Sequence, residues 1–177
     1  MKKVILTILV VVGIATNASA QKTSFGIVGG YYMLSEKVSI GNFGSLSATE
    51  SGFFIGFIVK FKVSDKLSIQ PELQWGSIIV SNETFNQILI PIMFQYSFAD
   101  KVYVQLGPQL DFELDVVDSE EVRTLGVGLA VGAGYDIKDN LFIFTRYSFG
   151  LTDRIKDDDF GLSLKISTFQ VGLGYRF

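Results

Sequence analysis

The residues best equipped for chemistry in this 177-residue chain are carboxylates, because it contains neither histidine nor cysteine. The commonest general base and metal ligand is therefore missing, as are thiolate nucleophiles and disulfides. Asp111 and Glu113 stand two positions apart, which on a strand puts both side chains on one face. Such a pair can act as acid and base only beside a substrate cleft, and nothing else in the chain marks one. Asp115, Asp118, Glu120 and Glu121 form one acidic cluster, and Asp153, Asp157, Asp158 and Asp159 form another. Clusters of this kind can gather the roughly six to eight oxygens that Ca²⁺ takes. Neither has the spacing and turn glycine of an EF-hand, so solvated loops are the plainer expectation. A third set is different in kind. Lys60, Glu72, Gln74, Gln105, Gln109, Asp111, Arg146 and Gln170 are polar side chains set into strongly apolar segments.

The elements that position this third set have a period of two. Leu67, Ile69, Pro71, Leu73 and Trp75 alternate with Ser68, Gln70, Glu72, Gln74 and Gly76. Side chains alternate across a strand, so this segment has one apolar and one polar face. Alternation recurs in Ser51–Lys62, Ile88–Phe98, Val102–Glu113, Leu125–Tyr135, Leu141–Phe149 and Phe169–Phe177. A strand near Ser24–Met33 has Gly and Tyr on both sides, which leaves its facing open. Counted together these predict eight strands. Short turns at Ser64-Asp65-Lys66, Ala99-Asp100-Lys101 and Lys138-Asp139-Asn140 alternate with longer polar links at Leu34–Glu50, Ser77–Gln87, Leu114–Arg123 and Thr152–Ser163. Strict alternation of short and long links gives an up-and-down order, and strands near ten residues match the ~9–11 that cross a bilayer at a tilt.

An open sheet in lipid leaves unpaired backbone groups at several kcal/mol each, so the expectation is a closed, eight-stranded antiparallel transmembrane β-barrel. A soluble barrel would point its apolar face inward around a ligand. Here the polar face, with its many glycines, suits the narrow interior of eight strands, while the Phe, Ile, Leu and Val face with Tyr and Trp near strand ends suits lipid. Glu72 and Arg146 each sit five residues into strands that start at a short turn, so they should lie at one depth. A charge-paired lumen network around them is expected, with Lys60, Gln74, Gln105, Gln109, Asp111 and Gln170 as further members. Its role would be structural, since an unpaired buried ion is costly. The architecture is porin-like, but eight strands leave a filled interior, and no open pore is expected.

The first twenty residues stand apart from the barrel. Lys2 and Lys3 precede an apolar run from Val4 to Ala15, and Ala18-Ser19-Ala20 supplies a small-x-small cleavage pattern. Residues 1–20 thus read as a secretory signal peptide cleaved after Ala20, with 21–177 as the mature barrel domain. The run is shorter than the ~18–20 residues of a spanning helix, and no Cys follows the cleavage site to carry a lipoprotein anchor. Losing Lys2 and Lys3 leaves 13 basic against 18 acidic residues, a net charge of −5 that gives nucleic acid no basic surface.

Tyr175 and Phe177 close the last alternating strand, which resembles the C-terminal signal read by the outer-membrane barrel assembly machinery. More broadly, Phe25 to Phe177 resembles the small outer-membrane β-barrel proteins called PorT-like or OMP_b-brl. The likeness lies in Gln70-Pro71-Glu72-Leu73-Gln74-Trp75, Ile88-Leu89-Ile90-Pro91-Ile92-Met93, Leu106-Gly107-Pro108, Gly132-Ala133-Gly134-Tyr135 and Arg146-Tyr147-Ser148-Phe149-Gly150-Leu151. The order and spacing of these motifs carry more than any one of them. This resemblance implies a bacterial outer-membrane location and the barrel fold, and no single shared activity. Three functions stay open. One is a non-enzymatic envelope protein that meets outer-membrane lipid and lipopolysaccharide and binds surface ligands or an unidentified envelope protein. Another is an accessory to a secretion or transport system, an association some PorT-like members carry. The third is a lipid-modifying enzyme, which in known eight-stranded barrels uses a His that this chain lacks. No cofactor is called for, and no peptidoglycan-binding domain is expected after Phe177.

Overall fold

A computed structural model of the protein describes residues 23–40, 44–80, 83–115, 123–155 and 162–177. The eight strands are β1 (Thr23–Ile40), β2 (Gly44–Lys62), β3 (Leu67–Val80), β4 (Glu83–Ser97), β5 (Val102–Glu113), β6 (Leu125–Asp136), β7 (Leu141–Gly150) and β8 (Leu162–Arg176). Each pairs antiparallel with its neighbour in sequence, and β1 pairs with β8, so the sheet closes into a barrel with no edge at its waist. The last residue joins this seam, where the Phe177 N–H donates to the Phe25 carbonyl at 2.7 Å. Turns at the short links hold as tight loops, with Val63 N–H donating to Leu67 O at 2.8 Å and Lys138 N–H to Leu141 O at 3.0 Å. We call this the turn end and its opposite the loop end.

The loop end departs from the sequence reading. Leu34–Glu50 was expected to be a loop, yet pairing continues from Leu34↔Glu50 to Ile40↔Gly44. β1 and β2 thereby reach 18 and 19 residues, well past the ~9–11 a membrane requires. The links at Ser77–Gln87 and Thr152–Ser163 are likewise shortened, because β3 runs to Val80, β4 starts at Glu83 and β8 starts at Leu162. These extensions carry polar residues on both faces. A hairpin standing in water needs no apolar face, so no alternation betrays it.

Across the waist the two faces separate as the period of two requires. Phe25, Ile55, Phe57, Leu73, Phe94, Leu106, Ile143 and Leu173 point outward and are exposed. Gln70, Glu72, Gln74, Gln95, Gln105, Gln109, Arg146 and Gln170 point inward and are buried. On β1 the open question of facing resolves cleanly: Tyr31 is 44% exposed on the outside and Tyr32 is 1% exposed within. The lumen is less uniformly polar than expected. Val28, Phe54, Ile58, Met93, Phe142 and Phe144 are also buried there. Glycines opposite make the room: a side chain added at Gly174 would strike the Phe142 ring, and one at Gly172 the rings of Phe144 and Phe54. Phe142 and Phe144 thus lie over the glycines paired with them on the neighbouring strand.

Candidate functional site

The interior is stacked in layers, and the middle one is ionic. β3 and β7 lie on opposite walls, and Glu72 and Arg146 reach toward each other across the lumen. The Arg146 Nη2 donates to Glu72 Oε1 at 2.7 Å and Nη1 to Oε2 at 3.0 Å, a two-pronged pair whose side chains are 1% and 0% exposed. Amides complete the shell. Gln70 Nε2 donates to Glu72 Oε1 at 2.8 Å, Gln74 Nε2 donates to Oε2, and Arg146 Nη2 also donates to Gln105 Oε1 at 3.1 Å. Gln170 Nε2 donates to Gln74 Oε1 at 2.7 Å, and the guanidinium lies 5.0 Å from the centre of the Phe144 ring. A buried carboxylate is tolerable only when its charge and lone pairs are met, and here an arginine and two amides meet them. Gln109 sits one layer further toward the loop end and donates to Thr168 Oγ1 at 3.3 Å.

Lys60 does not enter this network. It lies two residues nearer the turn end than Ile58, which is Glu72's partner across β2 and β3. Its ammonium stands 5.3 Å from the centre of the Tyr103 ring, and among the described residues no carboxylate is within ion-pair reach of it. The turn-end layer has its own pair, Arg176 Nη1 to Asp136 Oδ1 at 2.8 Å, with the Arg176 guanidinium 4.0 Å from the Phe142 ring centre.

Asp111 faces inward as expected but stands apart from the Glu72–Arg146 network, in a loop-end layer whose cation the sequence does not single out. Arg154 follows β7 in a segment that sequence alone places in a solvated loop, yet it folds back into the mouth and is 2% exposed. Its Nη2 binds Asp111 Oδ2 and lies 3.8 Å from Glu113 Oε1, while Nη1 donates to the Thr124 carbonyl at 2.8 Å. The backbone fixes it from both sides, with Arg154 N–H donating to Leu164 O and Arg123 N–H donating to Arg154 O, both at 2.8 Å. Gly126 opposite leaves the space that the guanidinium fills. Asp111 and Glu113 do share a face, and Arg154 occupies the Asp111 carboxylate. Nearby, the Tyr32 hydroxyl donates to Gln87 Oε1 at 2.7 Å.

Of the acidic clusters, Asp118, Glu120, Glu121, Asp157, Asp158 and Asp159 lie outside the described residues. Asp153 accepts from the N–H groups of Leu164 at 2.9 Å and Ile155 at 3.2 Å, so it ties the segment carrying Arg154 to β8. Burial alone would raise its pKa, but the Ser163 hydroxyl, those two N–H groups and the Lys165 charge more than offset that and hold it below 3.8. Asp115 accepts from the Asn86 side-chain amide at 3.2 Å. Among the described residues no group of three or more carboxylates is gathered as a metal would need. At the C-terminus, Tyr175 and Phe177 are exposed, with ring centres 5.6 Å apart, and the Tyr175 hydroxyl accepts from Asn140 Nδ2 at 2.7 Å.

Residues 4–177 match a protein-family model described as outer membrane protein beta-barrel domain. No curated protein matches the sequence. Among solved structures, Ail, the attachment invasion locus protein of Yersinia pestis, is 14% identical with a TM-score of 0.54, over 88% of this chain and 99% of that one. Neisserial surface protein A is 16% identical with a TM-score of 0.54, over 89% of this chain and 100% of that one. At these identities the likeness is one of fold.

Proposed function

The chain belongs to the outer membrane protein beta-barrel family, and from that premise we propose that it is a non-enzymatic envelope protein, closed to solutes, that works by contacts at its loop end. The Glu72–Arg146 pair carries this reading. It spans the lumen at mid-depth, and Arg154 adds a second barrier toward the loop end. Eight strands leave little room beside such side chains, so the interior serves stability and the surface serves function. In this reading residues 1–20 are the export signal removed after Ala20. Tyr175 and Phe177 address the chain to the assembly machinery, the outward Phe, Ile and Leu band meets the lipid, and the extended hairpins stand outside the cell among lipopolysaccharide.

Orientation and location can be tested together, because the chain has no cysteine of its own. Ser47→Cys on the extended β2 and Asp100→Cys in a short turn are both exposed positions. On intact cells a membrane-impermeant maleimide should label the first and spare the second until the envelope is broken. Labelling of Asp100→Cys alone would invert the orientation, and labelling of neither would remove the protein from the surface.

A further inference from the structure

Beyond the Arg154 layer the barrel opens at its loop end into a cavity of about 420 Å³. Among the described residues four carboxylates line it, Glu36, Glu50, Glu113 and Asp115, and no lysine or arginine does. Leu34, Ile78 and Phe85 give it an apolar wall. A ligand-sized cavity with an apolar wall and a few convergent polar groups is the usual form of a binding site. The amides of Asn86 and Gln87 also line it, and its charged groups are all of one sign.

Two oxygens at the cavity are short of a donor. Glu113 Oε1 and Asn86 Oδ1 are buried at the cavity and, among the described residues, accept no hydrogen bond. Arg154 stands 3.8 Å from the Glu113 oxygen, too far to donate to it. Buried acceptors without donors are costly, and an incoming ammonium or guanidinium would supply both the hydrogens and the opposite charge.

A separate feature says what would carry that cation. β2 pairs with β3 only from Gly52↔Ile78 onward, whereas it pairs with β1 along its whole length to Ile40↔Gly44. Gly44–Ser51 is therefore a sheet edge with one side open among the described residues, and Ala48 and Glu50 on that edge line the cavity. An exposed edge presents unpaired backbone groups to which an extended peptide can add as a further strand. Alternate side chains of the added strand would point into the cavity.

Resting on the proposed role of the loop end in partner contacts, we infer that this mouth binds an extended cationic segment of a partner polypeptide. The segment pairs with the free β2 edge at Gly44–Ser51 and sets a lysine or arginine among Glu36, Glu50, Glu113 and Asp115.

The test uses the full barrel in nanodiscs of zwitterionic lipid, with empty nanodiscs as reference. The probe is a fluorescein-labelled nonapeptide alternating threonine and lysine, followed by anisotropy. Saturable binding is expected, at least about tenfold weaker for the peptide with glutamate in place of lysine, and similarly weaker for the Glu36→Gln/Glu50→Gln barrel. Methylating alternate backbone nitrogens of the peptide should abolish binding in one parity and spare it in the other, as a strand on an edge requires. Binding that is absent, indifferent to peptide charge, or equally sensitive to both methylation parities would overturn the inference. The Ser47→Cys labelling on cells separates the two levels. Surface labelling without peptide binding sinks this inference alone, whereas no surface labelling sinks the reading beneath it.

Discussion

Replacing Arg146 by alanine removes the cation from the middle of the barrel and leaves Glu72 behind. Both side chains are at most 1% exposed, so water does not compensate for the loss. Breaking such a pair by removing one partner typically costs about 3–5 kcal/mol. One feature places this case near the lower end. Gln70 and Gln74 still donate to the two Glu72 oxygens. Loss of the guanidinium from the Phe144 ring adds a fraction of a kcal/mol or more. A destabilisation of about 3–4 kcal/mol is therefore expected. The assay is equilibrium unfolding in urea or guanidinium from lipid vesicles, followed by tryptophan emission of Trp75, the single Trp of the chain. The Glu72→Gln/Arg146→Ala double variant removes both charges and should lose less than the sum of the two single changes, because neither ion is then left alone. An unchanged midpoint for Arg146→Ala, or strict additivity in the cycle, would refute the claim that the pair holds the lumen together.

Two other outcomes follow from the loop-end layer. Arg154→Ala leaves Asp111 and Glu113 facing one another without their cation, so stability should fall by roughly 2–4 kcal/mol. Protease should then cut the segment between β7 and β8 faster in the folded barrel. Acid should loosen the same segment, because the folded pKa of Asp153 is depressed below its ordinary 3.8. The stability it contributes is full above that ordinary value and is lost as pH falls below it through the folded one. Limited proteolysis from pH 7 down to pH 3 should show cutting rise at the acidic end, and Asp153→Asn should remove much of that rise; equal pH profiles for the two proteins would contradict it.

Much of the barrel can be read in the sequence because a membrane enforces period two. Every strand at the waist must show lipid an apolar face, so Phe53–Phe61 or Ile88–Phe98 cannot disguise their conformation. The meeting of Glu72 with Arg146 is legible for a related reason. Both face inward at equal distance from short turns, and a narrow lumen leaves two such ions little choice of partner. What escapes the sequence lies where that constraint lapses. The Ile40↔Gly44 end of the first hairpin stands clear of lipid and carries no alternating signal. Phe54, Ile58, Phe142 and Phe144 put apolar residues on both faces of β2 and β7, and only the glycines paired with them on the neighbouring strands reveal why. Arg154 belongs to no strand and sits among acidic neighbours, so local pattern gives no hint of its burial. The hint available was the demand of two inward carboxylates, Asp111 and Glu113, for a cation that no strand supplies at that depth.

The central claim is a barrel closed by its own side chains, and single-channel recording tests it most directly. Full-length folded protein inserted into a planar bilayer should leave the current at baseline under an applied potential. Reproducible conductance steps from the unmodified chain would mean that Glu72, Arg146 and Arg154 do not seal the lumen, and would contradict the account.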